Sequence, residues 1–80
     1  MIIGKVTDKC NICGHRVRQA REALKLSQDQ LAAKLQTEGL GLNQNSISRI
    51  ETGKRIVTDF ELAILAKVLS TDINWLLDEK

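Results

Sequence analysis

An all-α fold, a compact bundle of five helices, is the architecture the sequence predicts. Good helix formers dominate a chain that contains no proline. Apolar residues recur at the three- and four-residue spacing of helices, and no apolar–polar alternation of useful length argues for a strand. Residues able to cap a helix stand at the head of several of these windows. Eighty residues make one domain, near the lower limit for a self-sufficient core. Phe60 and Trp75 are the only aromatics, so that core is expected to be Leu, Ile, Val and Ala.

Residues 1–10 are the least determined stretch and are expected to form a weakly ordered arm, with the domain over 11–80. Helix 1 is expected over 11–25, with Val17, Ala20 and Leu24 on one face. Ser27 and Gln30 fit a capping box, which opens helix 2 over 28–37 with Leu31, Ala32 and Leu35 inward. Asn43 is a simple cap for helix 3, 44–52, which buries Ile47 and Ile50. Thr58 and Glu61 form a second capping box, for helix 4 over 59–69, with Leu62, Leu65, Ala66 and Leu69 inward. Thr71 is expected to cap helix 5, 72–78, with Ile73, Leu76 and Leu77. Gly39, Gly41 and Gly53 mark stops and turns. The link 36–42 is long, and Leu40 or Leu42 is expected to fold back onto the core.

Charge is unevenly placed. The net charge is only +2. Residues 1–25 hold six Lys or Arg against two acids, whereas 56–80 hold two Lys against five acids. Residues 26–42 sum to −1 and 43–55 to +2. A basic front and an acidic back suit a nucleic-acid binder that presents one face. An ordinary mixed surface fits the same numbers.

Two charged residues interrupt the apolar stripes. Arg21 lies between Val17 and Leu24 on the inner face of helix 1, and Glu51 lies beside Ile50 on that of helix 3. A lone buried charge is costly, so each needs a partner. The simplest solution is that they pair, placing helix 1 across helix 3. The alternative is that both snorkel to solvent at the stripe edges.

Cys10 and Cys13 form Cys-x-x-Cys, with His15 close by. A structural zinc site needs four ligands, usually in two pairs, and no second pair exists here. A thioredoxin-like site would need a βαβ context. The thiols are therefore read as reduced and incidental, and no metal or cofactor is expected.

Helix 2, a glycine-containing turn and a short helix with a polar front make a helix-turn-helix arrangement, in which the second helix enters the DNA major groove. Amides and Arg can match base edges there bidentately. "RVRQAREALKLSQDQLAAKL…NQNSISRIETGKR…ELAILAKVLSTDINWLL" resembles the phage-repressor-like (XRE/Cro-type) helix-turn-helix domains. The resemblance rests on Arg21, Ser27-Gln28, Leu31-Ala32, Ile47-Ser48, Ile50-Glu51-x-Gly53, the Leu-Ala-Leu of helix 4 and Trp75-Leu76-Leu77. It implies a lambda-repressor-like five-helix DNA-binding domain, usually used as a dimer, with an Arg21–Glu51 ion pair. It also implies that Gln44, Asn45 and Arg49 read bases, and that Gln28, Asn43, Thr52, Lys54 and Arg55 contact phosphates. This chain departs from the family in its lengthened turn between helices 2 and 3. Loop closure cost grows only slowly with length, so the turn is tolerable.

The expected function is a sequence-specific transcriptional regulator, a repressor, whose recognition helix 44–52 reads double-stranded DNA as a homodimer on a two-fold operator. Dimerisation is expected through the C-terminal helix and Trp75; the alternative is that Trp75 is a plain core residue. The alternative is an antitoxin-like or adaptor module that binds a protein partner on the acidic C-terminal half. An enzyme is set aside, since one His, no nucleophile constellation and no Gly-rich phosphate loop are present. No apolar run approaches the ~20 residues of a membrane span, and the first residues are too interrupted for a signal peptide, so the cytoplasm is the expected location.

Overall fold

Two capping boxes set the frame of the fold. In the computed structural model, which describes residues 9–78, the Ser27 hydroxyl accepts from the Gln30 N–H while the Gln30 side chain accepts from the Ser27 N–H. Thr58 and Glu61 reciprocate in the same way. They open α2 (Gln28–Thr37) and α4 (Asp59–Val68). Asn43 caps α3 (Gln44–Glu51) through the Ser46 N–H at 2.8 Å. The remaining helices are α1 (Gly14–Ala23) and α5 (Ile73–Leu76). Among the described residues there is no strand. The expected arm 1–10 lies outside the described residues except for Lys9 and Cys10.

Helices 1 and 5 are shorter than their apolar spacing suggests. Asn11 holds the entry to α1, where its carboxamide oxygen accepts from the Gly14 N–H at 2.8 Å, so the regular helix begins at Gly14 and not at residue 11. At the other end Lys25 takes a left-handed backbone, φ 59°. The Lys25 and Leu26 N–H groups then turn back to the Glu22 and Arg21 carbonyls, a Schellman closure. Leu24 therefore falls past the helix and is 44% exposed, contrary to its expected place in the core. Asp72, one residue later than expected, caps α5 by accepting from the Asn74 N–H. The Thr71 hydroxyl is enclosed and has no hydrogen-bond partner.

Schellman turns also close α2 at Gly39 (φ 84°) and α3 at Gly53 (φ 79°), where glycine adopts the left-handed conformation without strain. In α4 the same turn falls on Ser70, φ 56°. Gly41 needs no positive φ, and a side chain there would meet no atom within 4 Å.

The core is aliphatic. Val17, Ala20, Leu31, Leu35, Ile47, Ile50, Leu65, Ala66, Leu69 and Leu76 are buried together with Cys13. From the long link Leu42 is buried and Leu40 packs against the same cluster, which closes the turn onto the core. The α1 helix packs on α3 and α5, and α2 packs on α3 and α4. Phe60 is 80% exposed, and the sequence carries no sign of it. Trp75 is half-buried, and the Arg16 guanidinium lies 4.5 Å above its ring.

Candidate nucleic-acid interface

Helix α3 is two-faced. Ile47 and Ile50 have no exposed surface and fix the helix to the core. On the outer side Gln44, Asn45 and Arg49 are exposed. Asn43 sits at the tip, its oxygen already engaged by the cap, so its N–H2 is the group it can present.

A chain of polar contacts connects this face to the interior. The Gln44 amide lies 3.5 Å from the Gln28 oxygen, a long hydrogen bond. Gln28 in turn donates to Glu51 Oε1 at 3.1 Å. Glu51 receives Arg21 through Nε at 2.7 Å and Nη2 at 3.1 Å, a bidentate pair. The Arg21 Nη1 donates to the Leu26 carbonyl at 2.7 Å. The two side chains of the ion pair are only 11% and 4% exposed, and the hydrogen bond to Glu51 holds the Arg21 guanidinium above its usual pKa. Gln28 is thus the joint between a structural ion pair and the first residue of α3.

The basic turn after α3 is partly committed within the chain. Lys54 is exposed. The Thr52 hydroxyl donates back to the Ser48 carbonyl at 3.0 Å, so it has no proton for a phosphate unless it rotates. Arg55 grips Glu61 with two parallel bonds, 2.9 and 3.1 Å, and donates to the Ile56 carbonyl. Of the other cations at the front, Arg16 is stacked on Trp75 and Arg18 bonds Glu22 at 3.1 Å. Arg49 on α3 and Lys54 just after it are exposed cations, and the exposed Lys9 lies against Gly53 in the same turn.

Glu61 reports on this turn. Its hydrogen bonds with Arg55, and after them the Thr58 N–H, hold its carboxyl below the usual carboxylate range. A depressed folded pKa contributes stability above the unfolded pKa of about 4.3 and loses it as pH falls through the folded value. Glu61→Gln keeps a capping amide but removes the ion pair. It should lower stability by roughly 0.5–1 kcal/mol at pH 7. In thermal melts the gap to the parent should close below pH 4. A gap that persists at pH 2.5, where the carboxyl is protonated, would mean that the ion pair with Arg55 is not the source of the difference.

Asn11 is the residue that sequence reasoning missed. Its amide donates to the carbonyls of Ile50 (3.1 Å) and Arg55 (2.7 Å), and the Cys10 N–H donates to that of Gly53 (2.7 Å). An Asn before a helix is a visible cap signal, but partners 39 and 44 residues away are not.

A helix-turn-helix family model matches residues 17–76, three quarters of the chain. The chain belongs to the XRE-type helix-turn-helix family. No curated protein matches it. The helix-turn-helix domain is a DNA-binding regulatory module of lambda-repressor-like fold, and the family is not one of enzymes. The pair α2–α3, with its six-residue link 38–43, is the motif itself. Among the described residues no three His, Cys, Asp or Glu side chains gather as metal ligands, and no helix is long and apolar enough to cross a membrane.

Proposed function

We propose that this helix-turn-helix protein is a sequence-specific transcriptional repressor, with α3 in the major groove and two copies on a two-fold operator. The observation that carries the reading is the outer face of α3. Gln44, Asn45 and Arg49 stand exposed on a helix whose other side is fully buried, and Gln44 is held by Gln28. Preorganised amides read bases well because little rotamer freedom remains to be lost on binding. Asn43, Lys54 and Gln28 are assigned to phosphates, with Thr52 and Arg55 contributing after rearrangement.

The second copy needs apolar surface away from α3. Trp75, expected to supply it, is taken up by Arg16, whereas Ile56 (65%), Phe60 (80%), Ile73 and Leu77 remain exposed. Phe60 also favours the second reading, a protein partner on the acidic half, because Asp59 and Glu61 flank it.

Selection of bound sites from random DNA tests the assignment. On the selected site Gln44→Ala should weaken binding by ~1–3 kcal/mol and relax preference at particular base pairs. Lys54→Ala should weaken all sequences alike and shallow the salt dependence by about one counterion per subunit. Should the two variants behave alike, α3 does not enter the groove by its N-terminal end. One copy per selected site would remove the two-fold arrangement, and no selected site at all would remove the DNA reading.

A further inference from the structure

Cys10 and Cys13 play no part in the function proposed above, yet they sit at its mechanical anchor. Cys10 is exposed and Cys13 is 2% exposed, within the core. Both line one groove of about 270 Å³, together with Ile12, Val57, Leu62 and Leu77. Between them stands Asn11, whose oxygen lies 4.0 Å from the Cys13 sulfur. Residues 10 and 11 hold three backbone carbonyls, those of Ile50, Gly53 and Arg55. These carbonyls end the recognition helix and run through the basic turn. Whatever shifts residues 10–13 must shift that anchorage.

We propose that Cys10 and Cys13 close into an intramolecular disulfide on oxidation, and that the bridge loosens this clamp and weakens DNA binding. The second half rests on the DNA-binding reading; the first does not. A disulfide brings its sulfurs to about 2.05 Å. One thiol is packed in the core and the other faces solvent, so closure draws Cys10 into the groove or Cys13 out of it. Either motion displaces the Asn11 backbone between them. Its carboxamide cannot then keep Gly14, Ile50 and Arg55 together.

The oxidant is a low-molecular-weight disulfide. The exposed Cys10, as thiolate, attacks one of its sulfurs, breaking that bond and releasing one thiolate. The Cys13 sulfur then attacks the Cys10 sulfur and expels the second thiolate. The two protein protons end on the two released thiols. Two protein thiols are oxidised by two electrons, and the external disulfide is reduced to two thiols. Burial holds the Cys13 thiol above its usual pKa, which agrees with its acting second.

The test uses the full chain with and without oxidised glutathione. Intact mass should fall by two hydrogens and both free thiols should disappear. Amide exchange over residues 50–55 should speed up at least tenfold, and affinity for a site selected by the reduced protein should drop at least tenfold. Dithiothreitol should reverse all of these. Cys10→Ser should be insensitive to the oxidant, whereas Cys13→Ala, in which alanine avoids placing a hydroxyl in the core, should stop at a glutathione adduct on Cys10 with exchange over 50–55 unchanged. Persistent thiols, stable glutathione adducts or only disulfide-linked dimers in the parent chain would overturn the bridge. A bridge that leaves exchange over 50–55 unchanged would overturn the clamp. A faster exchange with unaltered affinity for the selected site would overturn the switch. If the reduced protein selects no site, the DNA reading falls, and with it the regulatory half of the proposal.

Discussion

Gly14→Ala should destabilise the domain by ~1–3 kcal/mol, although helix propensity argues for the opposite sign. Replacing a helical glycine with alanine is normally worth about 1 kcal/mol in favour of the helix. Here the added methyl would overlap the Ile50 carbonyl oxygen and come within 3.1 Å of the Glu51 carbonyl and of the Asn11 oxygen. Carbonyls of a helix backbone cannot rotate aside, so relief requires α1 and α3 to separate. Separation stretches the Asn11 bonds to Ile50 and Arg55 and the Arg21–Glu51 pair together. Sterics should therefore win, with a fall in melting temperature of about 4–8 °C for each kcal/mol at this size. Gly41→Ala is the matched control, because nothing lies within 4 Å of the added atom and no positive φ is imposed. If Gly14→Ala melts at or above the parent temperature, the close approach of α1 to α3 is absent in solution.

The contrast between these glycines shows where the sequence was legible. Gly39 and Gly53 were readable as stops because a left-handed turn is what glycine offers. The ends of α1 and α4 use the same turn but place Lys25 and Ser70 in it, so composition gave no warning and helix 1 was expected to run on to residue 25. The local caps Ser27, Asn43 and Thr58 could be read because their partners lie three residues away. The same logic failed by one residue at Asp72. Gly14 offered no local clue, since its constraint comes from a carbonyl 36 residues on. The polar face of α3 was visible as a set of residue types. The engagement of Arg55 by Glu61 and of Arg16 by Trp75 was not, because a cation's partner is chosen by tertiary packing.

Arg21→Ala or Glu51→Ala alone should leave the protein largely unfolded at 37 °C. Both side chains are nearly enclosed, and their bidentate contact at 2.7 and 3.1 Å lies where α1 crosses α3. Removing one partner leaves an uncompensated charge inside, which typically costs ~3–5 kcal/mol. A domain this small has only ~5–8 kcal/mol in total, near the low end of the usual range. The two variants should differ in detail. Without Arg21 the Leu26 carbonyl loses its donor, although Gln28 still bonds Glu51. Without Glu51 the Arg21 guanidinium keeps Leu26, but Gln28 loses its acceptor and so its hold on Gln44. Glu51→Ala should therefore disturb the recognition helix even where low temperature preserves the fold. Arg21→Met with Glu51→Leu should recover much of the stability, because neither charge is left to desolvate. Recovery should stop short of the parent, since the Leu26 carbonyl and the Gln28 amide still lack their partners, at ~1 kcal/mol for each bond lost. The decisive quantity is the coupling in a thermal double-mutant cycle, expected at the upper end of the 0.5–3 kcal/mol seen for contacting residues. A coupling near zero, with each single variant costing under ~0.5 kcal/mol as surface changes do, would mean that the two side chains do not meet in solution. The register of α1 on α3 would then have to come from Gly14 and Asn11 alone.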